Sequence, residues 1–268
     1  MALIHAGLRS AALGRGVSCD IILPQKSTKL IGMETASGER LRVLWLLHGM
    51  SDDCTIWQRR TSIERYVAPY GLAVVMPDVE LSSYSNLVHG GLFYDYVAHE
   101  LPEVLSGMFG FSRAREDNFI AGLSMGGAGC MKIGLANPER YAAIGCLSAG
   151  AVNHPLPVAT HALDPMKHRY AYIRFDGREL EGTEEDVFGN ARRIVEEGLP
   201  CPRIYHSIGS SDPLLPAAHE TRDFFRSLEG DPFEYTYEED PGEHTWDYWD
   251  EHICRFLEFA LGQTSAAV

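Results

Sequence analysis

Hydrophobic positions change period several times along the chain, and each change marks an element. Over residues 1–25 apolar and polar residues alternate, with Val17, Cys19, Ile21 and Leu23 interleaved with Ser18, Asp20 and Ile22 and a stop at Pro24. That period predicts an antiparallel edge hairpin. Residues 41–47, LRVLWLL, are almost continuously apolar, as a strand buried on both faces requires. Helical spacing follows from Thr55 to Tyr70 and ends at Gly71; Leu72 to Met76 reads as a second buried strand closed by Pro77. A helix is expected over 92–109, a strand over Asn118 to Ala121, and a small-residue helix over 125–136 ended by Asn137-Pro138. Ala142 to Leu147, Arg203 to Ile208 and Phe233 to Tyr237 are further strands. Strands alternating with helices predict an α/β domain, a mainly parallel sheet with helices on both faces. Residues from about 151 to 200 keep no such rhythm and read as a cap or insertion within a single domain, the charged stretch 179–186 being a solvated helix face.

Composition narrows the function. The 268 residues are 45% hydrophobic and 22% charged, a globular balance, and the formal charge is −14. Such a field repels phosphate backbones and anionic lipid, which argues against nucleic-acid and membrane partners. The opening MALIHAGLRSAALGRG lacks an export pattern, so a cytoplasmic protein is expected. Six cysteines, none in C-x-x-C spacing, read as reduced thiols. With no H-E-x-x-H or His-rich tract either, no metal is expected. The edge hairpin leaves room for a homo-oligomer.

The strongest chemical signal is Gly122-Leu123-Ser124-Met125-Gly126, lying directly between a predicted strand and a predicted helix. A G-x-S-x-G elbow needs that context, because a strained strand-to-helix turn lifts the serine above the sheet. Residues two before and two after Ser124 approach closely, which glycine permits. An acyl-transfer site also needs two backbone N–H donors. Met125 supplies one, and the loop after 41–47 supplies the second from Met50, with Gly49 as the alternative. His48 precedes that loop and reads as structural, and Cys54 lacks an elbow.

The order Ser, acid, His selects the remaining partners. His244 follows the last predicted strand in Asp240-Pro241-Gly242-Glu243-His244, and Asp212 follows the penultimate one. Rival bases are His154, His161, His168, His206, His219 and His252; rival acids are Asp186, Asp223 and Asp240.

With these residues in place, the chain resembles the putative-esterase branch of the α/β-hydrolases, near the tributyrin, feruloyl and acetyl esterases. The resemblance rests on LWLLHGMSDDCTIW at 44–57, GLSMGG at 122–127, Asp212, and GEHTWDYW at 242–249. Tyr84-Ser85-Asn86 and Glu100-Leu101-Pro102 are also similar to that branch, and S-formylglutathione hydrolases are its cousins. It implies a small cap on an α/β-hydrolase fold and cofactor-free hydrolysis of small esters with short-chain or aromatic acyl groups. A thioesterase is the nearest alternative, an acyltransferase the next, and a non-catalytic binding relative the reading from another class. Trp57, Tyr84 and Trp249 are then candidates to line the substrate pocket, although large aromatics equally serve as packing. Asp52-Asp53 departs from the Gly or Asn common in relatives and puts the shape of the oxyanion loop in question.

Overall fold

A computed structural model describes residues 1–25, 40–151 and 165–262. Eight strands form one sheet: β1 Ala2–Ser10, β2 Arg15–Leu23, β3 Val43–Leu47, β4 Ala73–Pro77, β5 Asn118–Leu123, β6 Ala143–Leu147, β7 Arg203–Gly209 and β8 Thr236–Asp240. Their order is β1-β2-β4-β3-β5-β6-β7-β8. The hairpin β1–β2 is antiparallel and joins β4 antiparallel, while every pairing from β4 to β8 is parallel. The expected edge hairpin and parallel centre are both present.

Side chains alternate across the sheet and divide the core in two. Val43, Trp45 and Leu47 of β3 join one cluster with Met131 and Ile133 from the helix Met125–Ala136. Leu44 and Leu46 join the other, with Ile253, Phe256 and Leu257 from the helix Trp246–Leu261. Both faces are therefore covered, as the continuous apolar run of β3 demands.

Three elements depart from expectation for local reasons. The helix read over Thr55–Tyr70 is broken into Ile56–Arg60, Ile63–Val67 and a short turn Ala68–Tyr70. At the break Thr61 Oγ1 donates to the Trp57 carbonyl at 2.6 Å and accepts from the Ile63 amide at 3.1 Å, so the side chain replaces helical bonding. Within 93–109 the segment Tyr96–Glu100 widens to a π-turn just before Pro102, which cannot bond back to Ala98; Arg140 takes that carbonyl instead. The last strand lies three residues later than its alternation suggested, at Thr236–Asp240. Phe233 is buried by packing edge-on against Phe225, 5.4 Å between centroids, before the strand begins.

Of residues 151–200, positions 152–164 lie outside the described residues. The helix Val187–Glu196 contributes Val187, Ala191 and Ile194 to the main core and serves as the crossover from β6 to β7. Asp186 caps it, accepting from the Gly189 amide at 2.8 Å. The helix Pro165–Arg174 precedes it.

Candidate active site

All parallel strands end on one edge of the sheet, and the loops leaving that edge carry the predicted residues. Ser124, between β5 and its helix, has φ 51° and ψ −117°, a conformation that costs a non-glycine residue on the order of 1–3 kcal/mol. The turn is held by the Ser124 amide donating to the Leu147 carbonyl at 2.8 Å. A Cβ on Gly122 would stand 2.5 Å from the Gly126 carbonyl oxygen, so the expected close approach is real on that side. On Gly126 the same atom would instead strike the carbonyl oxygens of Leu47 and His48, at 2.5 and 2.7 Å. The second glycine thus exists to admit the strand-end of β3, which the sequence pattern alone did not reveal.

Two further loops arrive together. Gly209 and Gly242 meet backbone to backbone, and the amides of Ser210 and Ser211 donate to the carbonyls of Asp240 and Gly242 at 2.8 and 2.9 Å. This ties the loop after β7 to the loop after β8. Asp212 Oδ2 then lies 2.8 Å from His244 Nδ1, and His244 Nε2 lies 2.9 Å from Ser124 Oγ. The three predicted side chains form one hydrogen-bonded chain. Asp212 is 4% exposed, whereas the His244 ring remains 27% exposed. Burial pushes the Asp212 carboxyl up, but the bonds from His244 and from the Leu214 amide at 2.8 Å outweigh it and hold the group below its ordinary value. An ionised Asp212 accepts from Nδ1–H, leaving Nε2 as the acceptor for the serine hydroxyl.

The rival residues have other occupations. His206 is buried between Tyr235 Oη at 2.6 Å and the Ala149 carbonyl at 2.7 Å. His219 pairs with Glu239 on the surface, and His252 is buried against Tyr205. His154, His161 and the side chain of His168 lie outside the described residues. Asp223 pairs with Arg222 and Asp240 with Arg255. Cys54 is buried, and burial together with Asp20 pushes its thiol up to about 12, which removes it as a nucleophile. All six cysteines are free thiols.

The loop after β3 passes beside Ser124: a Cβ on Gly49 would stand 3.7 Å from the serine Cβ. Two consecutive peptide planes of this loop are fixed by buried side chains. The Val79 amide donates to His48 Nε2 at 3.1 Å, which puts the ring proton on Nδ1, and Nδ1–H donates to the Gly49 carbonyl at 2.7 Å. In a trans peptide that carbonyl sets the opposite direction of the Met50 N–H. Tyr84 Oη donates to the His48 carbonyl at 2.9 Å and so sets the Gly49 N–H. Burial holds His48 below the usual histidine range, consistent with a neutral structural ring. Asp53 accepts from the Thr55 amide and hydroxyl at 2.8 and 2.6 Å, so one half of the unusual Asp pair shapes the turn into the next helix.

The pocket candidates need correction. Trp57 is 1% exposed and donates to the Leu47 carbonyl at 3.1 Å, and Tyr84 is 0% exposed. Both are internal struts, because each ring has a backbone partner inside the core. Trp249 is 5% exposed and stands edge-on to His244, with centroids 4.9 Å apart. Trp246 bridges it to Trp57, at 5.2 and 5.3 Å, in successive edge-to-face contacts. Residue type alone left packing and substrate contact equally open for these rings, since it does not tell a ring behind a site from one within it. Met50 is the candidate that is exposed, and Met125 is buried at the start of its helix.

Two groups of metal-ligand type occur among the described residues. Glu238, Asp240 and His252 surround the Arg255 guanidinium, which bonds both carboxylates at 3.0 and 2.6 Å. His5, Asp20 and Cys54 meet at the hairpin, where Gln58 also bonds Asp20 at 2.7 Å. Neither group includes Ser124, Asp212 or His244. No helix among the described residues is long and apolar enough to cross a membrane.

Comparison with known proteins identifies the family. A family model described as "Putative esterase" matches residues 10–259. An acetyl esterase from Caldicellulosiruptor saccharolyticus is 29% identical, covering 97% of this chain and 98% of its own. The substrate-bound fluorophosphonate-binding serine hydrolase F of Staphylococcus aureus is 30% identical with a TM-score of 0.83, covering 98% of this chain and 99% of its own. An S-formylglutathione hydrolase from the same organism is 31% identical with a TM-score of 0.78, covering 97% and 98%. The chain belongs to the putative esterase family and is a serine hydrolase of the α/β-hydrolase fold.

Proposed function

We propose that the protein is a serine carboxylesterase acting on small esters with short-chain or aromatic acyl groups, with Ser124 as nucleophile, His244 as base and Asp212 as its orienting acid. The hydrogen-bonded chain from Asp212 through His244 to Ser124 carries this reading. Ser124 Oγ forms a bond to the ester carbonyl carbon while its proton passes to His244 Nε2. The oxyanion accepts from the Met125 amide and from Met50 or Gly49. The carbon–oxygen bond to the alcohol then breaks, and His244 returns the proton to the leaving oxygen. Water repeats the sequence on the acyl-enzyme and releases the acid. Every step uses groups of this chain, and no cofactor enters. Similarity to an acetyl esterase over nearly the whole chain supports an acetyl-sized acyl group. Six free thiols support a cytoplasmic setting.

Similarity to an S-formylglutathione hydrolase favours a second reading, in which a thiolate is the leaving group. The deciding experiment pairs Ser124→Ala with a substrate comparison. The variant should fold normally and lose on the order of 10⁴-fold or more of its turnover on p-nitrophenyl acetate. A serine-directed phosphonate should label the wild type at Ser124 alone. A variant that keeps a tenth of wild-type activity removes the assignment. A kcat/KM for S-formylglutathione above that of every oxygen ester promotes the second reading.

A further inference from the structure

A buried lysine lies behind the oxyanion loop and takes no part in the proposed reaction. Lys132, on the helix that begins at Met125, is 3% exposed. Its Nζ donates to the Ser83 carbonyl at 2.9 Å, to Ser85 Oγ at 2.6 Å and to Glu185 at 3.0 Å. Arg174 Nε donates to the same Ser85 hydroxyl at 2.9 Å and its Nη2 to Glu185 at 2.9 Å. A buried ion pair is a poor source of stability, because desolvation offsets the attraction. It does fix geometry, and what it fixes here is unusual backbone.

Ser83 and Tyr84 are consecutive non-glycine residues with φ 54° and 57°. A left-handed backbone is unfavourable for any residue with a side chain and persists only where surroundings impose it. Lys132 imposes it through the Ser83 carbonyl and the Ser85 hydroxyl. About one turn earlier on the same helix, Gly129 admits the Tyr84 ring, since a Cβ there would stand 2.5 Å from the ring carbon Cδ2. The ring is thereby aimed at the loop after β3, and its hydroxyl reaches the His48 carbonyl.

We propose that Lys132 and Tyr84 are positioning residues for the oxyanion loop: Lys132 holds the 83–85 turn, and Tyr84 thereby orients the His48–Gly49 peptide beside Ser124. The proposal rests on the serine-esterase reading above. It makes the donors in that loop answer to a lysine on the nucleophile's own helix, so nucleophile and oxyanion site move as one unit.

The test uses Tyr84→Phe, Lys132→Met and the double variant of the full chain. Tyr84→Phe keeps the ring packing and removes one hydrogen bond, so kcat on p-nitrophenyl acetate should fall about 10-fold with KM within about twofold. Affinity for a phenylboronic acid, whose tetrahedral adduct presents an oxygen to the same donors, should fall in step. Lys132→Met should lower kcat at least as far, and the double variant should be no worse than Lys132→Met, since both act through one contact. Wild-type kcat and boronate affinity in Tyr84→Phe overturn the proposal even if melting temperature drops. Losses that multiply in the double variant overturn it as well. If Lys132→Met fails to fold, Tyr84→Phe alone decides. Phosphonate labelling of Ser124 separates the two levels: no labelling sinks the esterase reading, whereas labelled enzyme with unchanged kcat in the variants sinks only the positioning role.

Discussion

A Cβ on Gly209 would stand 2.5 Å from the carbonyl carbon of Gly242. This contact between the end of β7 and the loop after β8 is what delivers Asp212 to His244. An added methyl at 209 meets backbone rather than a flexible side chain, so the loops must part. We expect Gly209→Ala to lose about 1–3 kcal/mol of stability by overpacking. Activity should fall further than stability suggests, because a displacement near 1 Å in a catalytic group costs on the order of 10²-fold. Urea denaturation and kcat on p-nitrophenyl acetate check both. A variant with native kcat would mean that the two loops are aligned by something else.

How far the sequence reveals such relationships differs by residue. Ser124 is legible because a strained strand-to-helix turn admits few residue types, and glycines at 122 and 126 mark it. Asp212 and His244 follow from chain order once β7 and β8 are placed, even though β8 begins three residues later than alternation suggests. Gly209 is illegible, since its neighbour is 33 positions away and only the packed sheet brings the two backbones together. Trp57 and Tyr84 are misread for the same reason. Their burial is decided by the Leu47 and His48 carbonyls that accept from them, a tertiary fact without periodicity. Lys132 resembles an ordinary helix lysine, and only the 83–85 turn and Glu185 make it internal.

Trp249 gives a prediction that separates packing from substrate contact. Its edge-on contact limits rotation of the His244 ring, and aromatic pairs of this type are worth about 0.5–1.5 kcal/mol. Trp249→Leu should therefore lower kcat for all esters by a similar factor, roughly 2- to 10-fold, with little change in KM. An effect confined to the KM of aromatic esters such as methyl ferulate would instead return Trp249 to the substrate pocket.

His206 sets part of the acid stability. Burial lowers its folded value to about 4 from the ordinary 6.5, only partly opposed by the Ala149 carbonyl. Between those values the unfolded chain holds a proton that the folded one does not. Stability contributed by the neutral ring is therefore complete above pH 6.5 and is lost as pH falls toward 4, by about 3 kcal/mol in all. In His206→Gln that loss should disappear while carboxylate titration remains. Urea midpoints at pH 7, 6, 5 and 4.5 for both proteins provide the comparison. Parallel curves would assign the acid loss to other groups.

Substrate length follows from what remains exposed at the site. With Trp57, Tyr84 and Trp249 in the interior, the large apolar side chains that are exposed next to site residues in the chain are, among the described residues, Met50, beside Gly49, and Leu214, two positions beyond Asp212. Two such side chains offer an acyl group little apolar surface. An acyl chain gains up to about 0.8 kcal/mol for each methylene it buries and gains nothing for methylenes left in water. Acetyl to butyryl esters should therefore outrank octanoyl esters in kcat/KM. The formal charge of −14, with Asp52 and Asp53 following Met50 and Ser51, should also disfavour polyanionic acyl donors such as acyl-CoA, and most strongly at low ionic strength. A series of p-nitrophenyl acetate, butyrate and octanoate at two salt concentrations, with acetyl-CoA alongside, measures both effects. Octanoate above butyrate would require a long apolar channel in the native enzyme, and acetyl-CoA turnover insensitive to salt would remove the electrostatic argument.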